Sequence, residues 1–101
     1  MLSILIPTYN YNVKPLVLQL QKQAEQLSIA YEIIICDDAS KVNYLFDFNS
    51  ISSVFYLKNE TNLGRTQTRQ KLATQAKFDT LLFLDADVLP AHENFLDIYI
   101  S

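Results

Sequence analysis

The sequence predicts an α/β fold, a doubly wound and mostly parallel sheet with helices on both faces, and three observations predict it. Short, continuous apolar runs (LSILI, EIIIC, LLFL) read as strands buried on both faces, because a half-exposed strand would alternate apolar with polar residues. Segments of helical period lie between these runs, in the order β-α-β-(α)-β-α-β-α. Polar residues gather just beyond the strand ends, in PTYN, DDAS and DAD. In an open parallel sheet the carboxyl ends of the strands face the ligand.

The elements follow in order. Residues 2–6 form a buried strand ended by Pro7. Residues 10–12 are turn-forming, and Asn12 is placed to cap a helix. Val13, Leu16, Val17, Leu20, Ala24 and Leu27 then recur at helical spacing, with Pro15 in the first turn, where proline is tolerated. Residues 31–36 are a second, isoleucine-rich strand, closed by Asp37, Asp38 and Ser40. Residues 41–52 are irregular or a short helix around Tyr44, Leu45 and Phe48. Residues 54–57 form a third strand, 59–64 a loop and 65–77 a polar helix. Residues 81–84 form the fourth strand, and 90–100 begin another helix. Right-handed crossovers order the strands 3-2-1-4. The switch point between strands one and four is then lined by residues 7–10, Asp37, Asp38 and 85–87.

Composition narrows the function. The chain has 101 residues, enough for one domain, and no repeat, linker or low-complexity segment. It is 50% hydrophobic and 19% charged, which is globular rather than disordered. Net charge is −3 with no basic block, so nucleic acid is not an expected partner. The single cysteine, Cys36, lies in an apolar run and reads as a buried thiol in a reducing compartment. No charged leader precedes the first strand, and no apolar run approaches the roughly 20 residues of a membrane span. A cytoplasmic location is therefore expected, with membrane association left to sequence outside this chain. The only glycine is Gly64. That excludes a G-x-G-x-x-G fingerprint and a Walker A loop, and leaves phosphate binding to a metal.

Each chemistry-bearing residue has a plain alternative. Asp85 and Asp87 are alternate residues at a strand end, able to reach one hard cation such as Mg²⁺ or Mn²⁺ beside a substrate phosphate. Alternatively they are a loop aspartate and a helix cap before Pro90. Asp37 and Asp38 exceed what a turn requires and can accept a ring N–H; alternatively one caps and one is solvated. Arg65 and Arg69 share a helix face that continues to Leu72, Ala73 and Ala76, so they are expected along the buried side near the helix amino end, facing a diphosphate. Their alternative is a salt bridge to Asp37 or Asp38. Tyr9 stacks on a base or is a rim aromatic. His92 reads as a surface residue, and one His with one Cys makes a zinc site or a Cys–His pair very improbable.

LSILIPTYN, EIIICDDAS, NLGRTQTRQ and LLFLDADVLP, in this order, resemble the inverting glycosyltransferases of family 2, which have a Rossmann-like, GT-A type fold. The resemblance covers most of the chain. It implies that Pro7 and Tyr9 flank a nucleobase, usually uracil, with Thr8 between them also nucleotide-binding. Asp38 would accept the ring N–H, with Asp37 beside it. Asp87 would be the principal metal ligand, and Asp85 would contact ribose or sugar or assist the metal. Arg69 falls where the family has arginine; Arg65 is added by the shared helix face alone. Three departures are visible: DDAS for DDGS, Arg69-Gln70 for Arg-Asn, and Val88 where a third acid often follows.

The resemblance further implies that residues 1–101 are a single nucleotide-sugar-binding domain, the donor half of a longer enzyme. The general base, an Asp or Glu, would lie beyond Ser101, leaving this chain inactive alone. The acceptor would be a carbohydrate or a lipid-linked hydroxyl, as in polysaccharide biosynthesis. Strand 81–84 would be an exposed apolar edge that favours self-association. A receiver-like phosphoacceptor module has its acidic pair after strand one, not strand two. A non-catalytic α/β binding domain is the other alternative.

Overall fold

The computed structural model describes residues 1–27, 29–41, 48, 51 and 53–86. Six elements follow one another: β1 (Leu2–Thr8), α1 (Lys14–Leu27), β2 (Tyr31–Asp37), β3 (Val54–Lys58), α2 (Arg65–Gln75) and β4 (Leu81–Phe83). The strands form one parallel sheet in the order β3-β2-β1-β4, as the sequence predicts. Leu2 pairs with Tyr31 and Thr8 with Asp37 along β1 and β2, and Ser3 to Leu5 pair with Leu81 to Phe83.

Alternation along the central strands separates two cores. Ile4 and Ile6 of β1 and Ile33 and Ile35 of β2 turn to one face, where Leu16, Val17, Leu20 and Ala24 of α1 cover them. Leu5, Ile34 and Cys36 turn to the other face and meet Leu72 of α2. The sheet is thus covered on both sides. Burial pushes the Cys36 thiol pKa up, with Asp38 and Asp37 adding to the rise and Lys71 opposing it. The predicted stripe of α1 is the observed one, and the Asn12 side chain accepts the Lys14 N–H at 3.0 Å, as a cap does.

The polar helix α2 departs from expectation. Its buried residues are Thr68 and Leu72, whereas Ala73 is exposed and Arg65 and Arg69 flank the buried line. A segment with one large apolar residue carries almost no periodic signal. Its rotation is set by Leu72 entering the core and by the Thr68 hydroxyl finding polar partners. No helix among the described residues is long and apolar enough to cross a membrane.

Strand ends also differ. β1 runs on through Pro7 to Thr8 instead of stopping at Ile6. The Ser3 N–H and Leu5 carbonyl bond toward β4, to the Thr80 carbonyl at 2.8 Å and the Leu84 N–H at 3.0 Å. By the same alternation the nitrogen of Pro7 faces β4, where it has no hydrogen to offer. The β1–β4 ladder therefore ends there, while β1 continues beside β2 to the bond from the Asp38 N–H to the Thr8 carbonyl at 2.9 Å. Of Tyr44, Leu45 and Phe48, named for the irregular or short helical segment 41–52, only Phe48 is described; it is buried and stacks on Tyr56 at 5.3 Å. Tyr44, Leu45, Asp87, His92 and the helix expected over 90–100 lie outside the described residues.

At the opposite, amino end of the strands a buried polar cluster closes the sheet. The Ser3 hydroxyl donates to Glu32 at 2.6 Å, the same carboxylate accepts the Lys77 N–H at 2.5 Å, and the Phe78 N–H donates to Ser3 at 3.1 Å. It anchors the connection from α2 to β4.

Leu72 is the sole large apolar anchor of α2, so Leu72→Ala is expected to cost about 3 kcal/mol in urea unfolding, in the range for buried Leu truncation. Leu18→Ala, on the exposed side of α1, is expected to change stability by less than about 0.5 kcal/mol.

Candidate functional site

Where β1 and β4 part, a crevice of about 570 Å³ opens at the carboxyl edge of the sheet. Pro7, Thr8, Tyr9 and Tyr11 line it from β1 and the loop after it. Asp38 comes from the end of β2, Asn62, Gly64, Arg65 and Thr68 from the start of α2, and Asp85 and Ala86 from beyond β4. Its size suits a small organic ligand.

Asp38 organises the floor. Its Oδ1 accepts the Leu63 N–H at 2.7 Å and the Asn59 side-chain N–H at 2.9 Å, and its Oδ2 accepts the Gly64 N–H at 2.9 Å. Its own carbonyl accepts from the Asn62 side chain at 3.3 Å. Burial alone would raise the pKa of this carboxyl. The Leu63 N–H, the Asn59 amide, the Gly64 N–H and the Thr68 hydroxyl together outweigh it and hold the pKa below the ordinary value. At neutral pH the group is an ionised acceptor.

Asp37 faces elsewhere. Its Oδ1 accepts the Ser40 N–H at 2.8 Å and the Ser40 hydroxyl, and its Oδ2 accepts the Tyr56 hydroxyl at 2.6 Å. The carboxylate holds the loop after β2 and does not line the crevice. That loop is tied to the one after β1: the Asn10 N–H donates to Ser40 at 2.6 Å, and the Lys41 N–H to Asn10 Oδ1 at 2.7 Å. Ala39, which stands where the DDGS pattern has glycine, adopts φ 62°.

The two arginines divide. Arg65 lines the crevice and pairs with Asp85 across it, Nη2 to Oδ1 at 3.3 Å, with both side chains more than half exposed. The sequence segment around Asp85 holds no basic residue, so this pairing was visible only in three dimensions, and it is with Asp85 rather than Asp37 or Asp38. Arg69 instead lies 4.6 Å over the Phe83 ring, in a separate shallow depression. Pro7, Thr8, Tyr9, Asp38, Arg65 and Asp85 are thus brought together; Asp37 and Arg69 are not among the crevice residues, and Asp87 is outside the described residues.

Sequence reasoning missed Asn59, Asn62, Thr68 and Tyr11. It treated 59–64 as loop only. The available signal was the lone glycine: Gly64 has φ 87° and ψ 165°, a conformation that side chains resist, and its N–H is one of the donors to Asp38. As for a cation, no group of three or more His, Cys, Asp or Glu side chains is clustered among the described residues. Mg²⁺ or Mn²⁺ beside a diphosphate needs only one or two carboxylates. Asp85, a hard oxygen donor on the lip of the crevice, fits that requirement.

A parallel sheet with a polar crevice at its switch point, an ionised carboxylate in the floor and a helix amino end at its side is a ligand-binding arrangement of doubly wound α/β proteins. The chain matches the model of Glycosyl transferase family 2 over residues 3–99 and belongs to that family. An uncharacterized glycosyltransferase of Haemophilus influenzae is 39% identical over 87 residues, 86% of this chain and 29% of that protein. Among solved structures, residues 1–349 of S. aureus TarS superpose with a TM-score of 0.77 at 25% identity, over 98% of this chain and 31% of that one. The same TarS segment in complex with UDP gives 0.76 at 26% identity, with the same coverage. The chain therefore spans less than a third of the length of these relatives, and its fold is the GT-A type that the sequence resemblance implies.

Two of the positive-φ positions, Gly64 and Ala39, separate by substitution. Gly64→Ala meets no atom within 4 Å, so its cost is backbone strain alone, about 1–3 kcal/mol. Ala39→Gly relieves a left-handed alanine and is expected to gain roughly 0.5–1 kcal/mol. Thermal unfolding of both variants checks the opposite signs.

Proposed function

We propose that this chain is the donor-binding part of a glycosyltransferase that moves a sugar from a nucleotide diphosphate sugar, a UDP-sugar, to an acceptor hydroxyl with inversion. The observation that carries the reading is Asp38, an ionised carboxylate held from behind and lining the crevice of a family 2 chain. The complex of a similar structure with UDP supports the choice of nucleotide.

In this reading the base lies between Tyr9 and Asp38, beside Pro7 and Thr8, and its ring N–H donates to Asp38. Among the groups that favour the ionised form, the Thr68 hydroxyl can rotate away to free an acceptor site without moving the backbone. Asp37 serves indirectly, by holding the loop that carries Asp38. Arg65 and the amino end of α2 face the diphosphate, where cationic and N–H groups favour negative charge; Arg69 stands further out. Asp85 and Asp87 would hold a divalent cation, which supplies Lewis-acid stabilisation of the leaving diphosphate. Arg65 leaves its exposed partner Asp85 at little cost when phosphate arrives, since such pairs contribute about 0–1 kcal/mol.

The acidic residues lining the crevice, among the described residues, are Asp38 and Asp85. Neither is placed as a base in this reading. The chain spans less than a third of its relatives' length, and the reading assigns deprotonation of the acceptor, carbohydrate or lipid-linked, to a carboxylate in the remainder, so that the chain by itself binds donor nucleotide and transfers no sugar.

Titration calorimetry with UDP and Mn²⁺ tests this. Binding is expected, weakened at least about tenfold by chelator, by Asp87→Ala and by Asp38→Asn, the scale of a charged hydrogen bond or ligand lost. Affinity indifferent to all three rejects the site, and absence of binding favours a non-catalytic α/β domain. Separately, β4 pairs only with β1 among the described residues, and its free edge is the proposed surface for self-association. Light scattering is expected to show mass rising with concentration; a monomer at all concentrations rejects that edge.

A further inference from the structure

Behind Asp38, away from the crevice, stands a buried side chain that no role in donor binding has absorbed. Asn59 is 3% exposed, directly follows β3, and does not line the crevice. Its Oδ1 lies 2.7 Å from Lys71 Nζ and 3.5 Å from the Cys36 thiol, and its Nδ2 lies 2.9 Å from Asp38 Oδ1 and 3.3 Å from Thr68 Oγ1.

The chemistry of these neighbours dictates the orientation of the amide. A lysine ammonium only donates, so the atom facing Lys71 must be the oxygen. An ionised carboxylate only accepts, so the atom facing Asp38 must be the nitrogen. Reversing the amide would set N–H against ammonium and oxygen against carboxylate, two repulsions in place of two charge-assisted bonds. Because Nδ2 also donates to Thr68 Oγ1, the Thr68 hydroxyl proton is left to point at Asp38.

We infer that Asn59, held by Lys71, is a positioning residue for nucleobase recognition: it pins Asp38 Oδ1 from behind so that the carboxylate is presented to the crevice in one orientation. The inference rests on the reading of Asp38 as the acceptor for the base. It assigns Lys71, which lies one helical step from Leu72, a role in base selectivity without any contact to ligand. The site would thereby tell a base with a ring N–H from one without through a chain of three side chains.

Competition binding on the full chain, with UDP and with inorganic pyrophosphate, each with Mn²⁺, separates positioning from folding. Asn59→Asp keeps the partner of Lys71 and replaces the N–H facing Asp38 by a carboxylate oxygen. Lys71→Met frees the amide to turn. Both are expected to weaken UDP about tenfold, the scale of one charge-assisted hydrogen bond, and to leave pyrophosphate unchanged. Lys71→Arg, which still donates, is expected to restore UDP affinity to within about twofold of the parent. If Asp38→Asn loses UDP selectivity while Asn59→Asp and Lys71→Met keep it, positioning is overturned and the reading of Asp38 stands. If Asp38→Asn keeps selectivity, the reading itself fails and the inference with it. Equal loss of UDP and pyrophosphate in Lys71→Met, together with a lowered melting temperature, shows a structural role and also overturns the inference.

Discussion

The buried carboxylate of Asp38 is the interaction on which this site depends. It joins the end of β2 to the start of α2 through N–H groups of Leu63 and Gly64 and the side chain of Asn59. A helix as polar as α2, with Thr68 and Leu72 as its buried residues, has little hydrophobic reason to sit at one angle. Leu72 decides which face docks. Asp38 decides where the amino end rests, and so where the crevice wall stands. The cost of burying the charge is offset by hydrogen bonds to its ionised form, which is why the same bonds lower its pKa.

The crevice itself follows from a missing hydrogen. Pro7 cannot extend the ladder toward β4, so β1 keeps β2 as its neighbour and parts from β4. The two sides of the opening then differ in stiffness. At the β2 side, Asp38 and Asp37 are fastened by backbone N–H groups and buried side chains. At the β4 side, Arg65 and Asp85 form an exposed pair that solvent screens and a charged ligand can replace. In the proposed reading, the rigid end takes the planar base and the adaptable end the phosphate and cation. The opposite end of the sheet carries instead the hydrogen-bonded cluster of Ser3, Glu32 and the Phe78 N–H.

How far such a site is legible depends on the residue. Leu16, Val17, Leu20 and Ala24 repeat at helical spacing, so the packing of α1 was readable before any coordinates. The face of α2 was not: its buried Thr68 is polar, and it is buried because Asn59 and Asp38 are there to bond it. Arg69 looked like a crevice residue from its place in the family pattern, yet the aromatic ring of Phe83, from a strand later in the chain, captures it. Asp37 and Asp38 are adjacent and look equivalent, but alternation at the end of β2 sends one carboxylate to Ser40 and Tyr56 and the other to α2.

The sequence by itself determined the strand order, the two covered faces and the family, because these rest on apolar runs and on motifs whose spacing is local. It also placed Pro7, Thr8, Tyr9, Asp38, Arg65 and Asp85 at one edge. Only the tertiary structure decided how Asp38 is held ionised at the crevice while Asp37 turns to Ser40 and Tyr56, which arginine meets Asp85, and that Asn59 and Lys71 stand behind the site. The physical reason is distance along the chain. The Asn59, Leu63 and Gly64 donors to Asp38 lie 21 to 26 positions away, and a hydrogen bond leaves no periodic trace in sequence at that separation.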